Sequence, residues 1–152
     1  DPNENPLLLP HSGTFSANPI TMTAGFVAMR DFDQDTVLAL NQFTEATRKR
    51  VEEAIRIADV PMSTSGAGSM FRLHPKVETP TTYREGFQGK AEKVVMAKLL
   101  DHMFYQEHVI MVNTGTCMFS TVLGEPEVDQ LVEGMLNAFR VFGPDLKQLH
   151  NL

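Results

Sequence analysis

Apolar residues recur on a helical period in three separate stretches of this chain, and the segments between them lose that period. From Val37 to Ala58 the residues Val37, Leu40, Phe43, Thr47, Val51, Ala54, Ile55 and Ala58 fall on one stripe, the pattern of a long helix laid on a core. Glu45 to Lys49 and Glu52 to Arg56 are spaced as i,i+4 pairs on the outer side, and Pro61 stops the run. A second stretch, from about Lys90 to Gln106, places Met96, Leu99, Leu100 and Met103 at i, i+3, i+4 and i+7. A third begins near Pro126 and carries Val128, Leu131, Val132, Met135, Phe139 and Phe142 on one face.

Between these helices the punctuation changes. Met62–Ser65 and Ser69–His74 flank Gly66-Ala67-Gly68, which predicts two short strands joined by a glycine turn. Pro75 to Gly89 is rich in glycine and proline and reads as a loop. Val109–Val112 and Met118–Val122 are expected as strands around Asn113-Thr114-Gly115-Thr116. Toward the N-terminus, residues 1–17 are proline-rich and aperiodic, with Leu7-Leu8-Leu9 as their apolar patch, and are expected to be an arm or interdomain segment. A first helix should then run from Asn18 to about Arg30, after which Asp31, Asp33 and Asp35 offer N-caps for the Val37–Ala58 helix. The expected fold is α+β: residues 18–152 form a small domain in which a mainly antiparallel sheet packs against helices.

Composition narrows the function classes. At 152 residues the chain buries an ordinary core, and 42% hydrophobic residues without a long apolar run argue against a membrane span. A net charge of −6 argues against a nucleic-acid surface, which needs clustered Lys and Arg. The one basic triplet, Arg48-Lys49-Arg50, is followed by Glu52 and Glu53 and reads as a solvated helix face. Cys117 is the single cysteine, which excludes an internal disulfide, fits a cytoplasmic protein, and is expected to be buried as a small hydrophobe. The start, Asp1-Pro2-Asn3-Glu4-Asn5-Pro6, has no basic n-region and apolar stretch of the signal-peptide kind, and is expected to be internal sequence. No metal is expected. On a helix, a six-residue spacing would place His102 and His108 about 120° apart, and Asp31, Asp33 and Asp35 lack the glycine and terminal glutamate of a calcium loop. His11 and His74 read as hydrogen-bonded polar residues, and the methionines as mostly core.

The chemistry concentrates in His11-Ser12-Gly13-Thr14-Phe15-Ser16-Ala17-Asn18-Pro19. Glycine permits close backbone approach, the hydroxyls of Ser12, Thr14 and Ser16 donate to anions, and Asn18 with Pro19 forms a cap and a first helical residue. A hydroxyl-rich loop opening into a helix is a candidate phosphate cradle, although the spacing alone is also that of a capped turn.

The whole string resembles the Gly-Thr-x-x-x-Asn-Pro-hydrophobic-x-x-x-Ala-Gly block of the class III pyridoxal-phosphate-dependent aminotransferases, here Gly13-Thr14, Asn18-Pro19-Ile20 and Ala24-Gly25. Gly68-Ser69-Met70-Phe71 resembles the start of a strand in the small domain of that family. From Val95 to Phe142 the order of elements is most similar to the glutamate-1-semialdehyde aminomutase branch. The resemblance implies the C-terminal small domain of a fold-type I enzyme that uses pyridoxal 5'-phosphate, a homodimer acting on a small amino acid or amino ketone. It implies that Gly13 and Thr14 contact the cofactor phosphate held by the other subunit. The lysine that carries the cofactor in that family precedes this block by a few dozen residues. None of Lys49, Lys76, Lys90, Lys93, Lys98 and Lys147 is placed as that lysine would be, so the chain alone is expected to be inactive, with no catalytic residue of its own. Three departures bear on the substrate. Thr116 stands where aminomutases usually have glutamate and Thr121 where they have serine, and no carboxylate-binding arginine lies between Val109 and Val122. The other classes the residues allow are a free-standing interaction or regulatory domain of the same fold without catalysis, and an unrelated α+β binding domain.

Overall fold

The structure, a computed structural model, describes residues 13–151 and divides into two compact units, one ending at Val37 and one beginning at Leu38. Leu7-Leu8-Leu9 and His11-Ser12 lie outside the described residues.

The first unit is dominated by α1 (Pro19–Asp31). Asn18 caps it, its side-chain oxygen accepting from the Ile20 N–H at 2.9 Å, and Pro19 fits the first helical position because no intrahelical donor is needed there. No residue of α1 is buried. Its apolar side chains, Ile20, Met22, Phe26 and Met29 among them, are exposed. The next helix, α2 (Gln34–Ala58), starts where Asp33 accepts from the Thr36 N–H at 2.9 Å, so one of the three candidate aspartates is the cap.

In the second unit α2 buries Leu40, Thr44, Thr47, Val51, Ala54 and Ile55, close to the expected stripe. The two buried threonines satisfy their hydroxyls on the helix itself, through Leu40 O at 2.9 Å and Phe43 O at 3.0 Å. The helix ends with Asp59 in the left-handed region (φ 50°), and Pro61 follows. On the outer face the ion pairs differ from the expected i,i+4 set: Arg48 binds Glu45 and Glu52, and Arg56 binds Glu53. The planar guanidinium reaches a carboxylate three residues back in two-point contact, so it displaces the lysine and arginine pairing that spacing alone suggested.

Strands β1 (Ser63–Ala67) and β2 (Met70–His74) form the expected hairpin, with Gly68 at φ +62° and Ser69 as its turn. Gly66 lies within β1, and a Cβ there would sit 2.4 Å from Met70 O, so the two strands approach too closely for any other residue. The third strand, β3 (Thr116–Met118), completes an antiparallel sheet of order β1-β2-β3. Here the sequence expectation fails twice: 109–112 is irregular, and the strand expected at Met118–Val122 lies earlier and is shorter. Gly115 at φ +80° makes a tight turn, its N–H on Val112 O and its carbonyl accepting from Leu73 N–H, and pairing with β2 therefore begins at once.

α3 (Lys90–Tyr105) and α4 (Glu125–Leu149) start alike, with Glu92 and Glu127 accepting from the N–H groups of Gly89 and Gly124. The core joins Val51, Phe71, Leu73, Met96, Leu99, Met103, Met135, Phe139 and Leu146 from all three helices and the sheet. Among the nine methionines, Met62, Met96, Met103 and Met135 are buried and Met111 packs against the core, in line with the expectation that most are core, whereas Met22, Met29, Met70 and Met118 are exposed. The result is a small α+β unit with an antiparallel sheet, as the periodicity implied.

Candidate functional site

Gly13 to Asn18 is a pair of overlapping turns: Ser16 N–H donates to Gly13 O at 3.0 Å and Asn18 N–H to Phe15 O at 3.3 Å. Ala17 adopts a left-handed conformation (φ 58°), a strained choice for a residue with a side chain, which turns the chain into α1. Gly13 and Thr14 are exposed. The backbone bonds of the turn use the N–H groups of Ser16 and Asn18. Among the described residues, the N–H groups of Thr14 and Phe15 and the Thr14 hydroxyl have no protein partner. The turn leads directly into the N-terminus of α1, and donors of this kind ahead of a helix start suit a small oxyanion such as a phosphate group.

The second unit holds a separate concavity of about 500 Å³ between β2, the loop ahead of α3, and the 113–114 turn. Arg72 borders it, tethered by Nε to Thr114 O at 3.0 Å. Lys93 borders it too, its Nζ 4.9 Å from the centre of the Phe87 ring. Gln88, only 6% exposed, also lines it, and its Nε2 is buried without a hydrogen-bond partner among the described residues. The loop is pinned by Glu85, whose carboxylate accepts from Thr81 N–H at 2.7 Å, the Thr81 hydroxyl at 2.9 Å and Thr82 N–H at 3.1 Å. These bonds hold Glu85 below the usual carboxylate range. Glu92 is likewise lowered: burial pushes it up, and bonds from Lys76 at 2.8 Å and Gly89 N–H at 2.6 Å outweigh that push.

Other chemistry-bearing residues have structural surroundings. Burial pushes the Cys117 thiol up to about 12, so it packs as an apolar group and supplies no thiolate. His74 is buried with Nε2 2.7 Å from Ser65 Oγ, while its Nδ1 has no partner among the described residues, so only half of its expected hydrogen bonding is met. His102 Nε2 lies 3.2 Å from Glu107 Oε1 and its ring meets the edge of Phe142. Among the described residues no three His, Cys, Asp or Glu side chains cluster as metal ligands. No helix of the described residues is long and apolar enough to cross a membrane.

Gly13 and Thr14 thus fall together in one turn, while Arg72, Gln88 and Lys93 form a group that sequence reading did not assemble. Each is ordinary in its local sequence, and only the packing of β2, loop and α3 brings them to one cavity. The outward position of Arg72, between the buried Phe71 and Leu73, was the one local signal.

No family model matches the chain. It is 29% identical over 123 residues to an uncharacterized aminotransferase of Schizosaccharomyces pombe, a match covering 80% of this chain and 27% of that protein. It is 26% identical over 133 residues to a glutamate-1-semialdehyde 2,1-aminomutase of Ignicoccus hospitalis, covering 86% of this chain and 31% of that protein. Its structure is similar to that of an omega-transaminase from Sphaerobacter thermophilus, with a TM-score of 0.79 and 30% identity over 97% of this chain and 32% of the other. The chain therefore spans about a third of the length of the relatives it matches.

Proposed function

For this relative of the class III pyridoxal-phosphate aminotransferases and aminomutases, we propose the role of a C-terminal small domain in a cytoplasmic, homodimeric enzyme of that kind. The observation that carries the reading is the Gly13–Asn18 turn, which leads into α1 with donors that have no partner among the described residues, within a chain matched to a transaminase over nearly its whole length. The donor set fits the phosphate of pyridoxal 5'-phosphate: Thr14 would donate its hydroxyl, and the turn the N–H groups of Thr14 and Phe15, from one subunit to the cofactor of the other. When bound, the cofactor supplies an electron-withdrawing ring that stabilises a carbanion at the substrate. This chain's own contribution is binding and orientation, with the α1 dipole adding to the attraction for a dianion. The C-terminal domain would also contribute the dimer and substrate-side wall of the active site. Thr116, in place of the aminomutase glutamate, favours a substrate other than glutamate-1-semialdehyde.

The test uses the whole polypeptide that carries this segment. Pyridoxal 5'-phosphate should be retained through gel filtration at one per subunit, the enzyme should run as a dimer, and amino groups should move between amino acids and 2-oxo acids or within an amino ketone. Absence of cofactor retention would overturn the reading in favour of an interaction domain, for which the exposed apolar side chains of α1 would then be the natural surface.

A further inference from the structure

We propose that the cavity between β2 and the start of α3 binds a small organic carboxylate, with Arg72, Lys93 and the Gln88 amide as its donors and the rings of Phe87 and Tyr83 flanking the organic part. The volume, about 500 Å³, is that of a small-molecule pocket. Among the described residues, its lining contains two cations and no carboxylate. The nearby acids are already engaged, Glu85 on Thr81 and Thr82 and Glu92 on Lys76 and Gly89. The unbalanced positive charge therefore faces the cavity rather than an internal counter-ion.

Gln88 supplies the second, independent observation. A buried amide nitrogen without a partner is costly, on the order of 1–3 kcal/mol, so native structures seldom keep one. The terminal amide torsion of glutamine is broad, so a turn about it would carry Nε2 from its buried position toward an acceptor seated in the cavity, with Oε1 moving the opposite way. Arg72 is positioned for the same acceptor. Its Nε is held by Thr114 O, while its two terminal nitrogens have no partner among the described residues. A guanidinium edge is a planar two-point donor that matches a carboxylate, and the rings of Tyr83 and Phe87 in the lining suit an organic body more than a bare inorganic anion. Lys93, steadied over the Phe87 ring, adds a second charge and keeps that ring at the rim.

This site lies wholly within the 38–152 unit and uses neither Gly13 nor Thr14, so it stands or falls separately from the cofactor reading. The experiment titrates the chain with phenylacetate, acetate and inorganic phosphate at constant ionic strength while amide resonances are followed by NMR. Phenylacetate should give saturable shifts that include the Gln88 side-chain amide, at least fivefold tighter than acetate, with phosphate weakest. Arg72→Gln and the exposed Lys93→Gln should each weaken phenylacetate at least tenfold, while Lys98→Gln, whose partner is Asp145, should not change it. Should Arg72→Gln lose its folded spectrum, Lys93→Gln alone decides. Linear shifts without saturation, shifts that spare Gln88, affinity unchanged in Lys93→Gln, or phosphate binding tightest would each overturn the assignment.

Discussion

His74 places its Nε2 2.7 Å from Ser65 Oγ on the neighbouring strand, and a Cβ added at Gly86 of the following loop would lie 3.8 Å from the same ring. Burial, with the charges of Arg72 and Lys76 adding to it, pushes this histidine down to about 4. It is therefore neutral in the folded protein at ordinary pH.

The sign of the pH dependence follows. The unfolded chain takes up the proton near 6.5 and the folded one only near 4. His74 leaves stability intact above pH 6.5 and lowers it as pH falls from there to about 4, by at most about 3 kcal/mol in total. Denaturant unfolding at pH 7.5 and 4.5 should show a larger loss in the parent chain than in His74→Gln. Equal losses would mean that this histidine titrates normally.

Two glycines in different settings should respond oppositely to alanine. Gly25 is inside α1, and a Cβ added there meets nothing within 4 Å, so Gly25→Ala should raise local helix stability by roughly 0.5–1 kcal/mol. Gly66→Ala forces a methyl group against the Met70 carbonyl, and separating the strands should cost about 1–3 kcal/mol or more. Amide exchange in α1 and thermal unfolding of the second unit read the two effects separately.

Core packing should outweigh surface charge by a wide margin. Leu99→Ala and Phe139→Ala empty fully buried positions and should each cost about 2–5 kcal/mol. Arg50→Ala breaks contacts with Glu125 and Asp129, but these partners are exposed, and the loss should be under about 1 kcal/mol. Urea midpoints of the three variants give the ranking.

The helices were legible because each buries one stripe over several turns, so errors at single positions average out: Val95 joins the α3 core in place of Leu100, yet the element is unchanged. The 109–112 run misled for a physical reason. Its apolar residues have the propensity of a strand, but strand formation also needs a partner edge, and β2 pairs with Thr116–Met118 instead. The glycine turn at Gly115 fixes that choice. Gly13 and Thr14 could be proposed from the sequence because the motif that carries them is continuous. Arg72, Gln88 and Lys93 could not, since their meeting depends on tertiary packing.

The proposed contact between Thr14 and the phosphate of pyridoxal 5'-phosphate can be read from cofactor dissociation in the whole enzyme, compared among the parent, Thr14→Val and Thr14→Ser. A hydrogen bond to a charged group contributes roughly 1.5–3 kcal/mol, so Thr14→Val should weaken cofactor binding by about tenfold to a hundredfold. Thr14→Ser, which keeps the donor, should bind nearly as the parent does. Because the role is binding, turnover of Thr14→Val at saturating cofactor should largely recover. Unchanged affinity in Thr14→Val would contradict the assignment and leave Thr14 as an ordinary residue of the turn before α1.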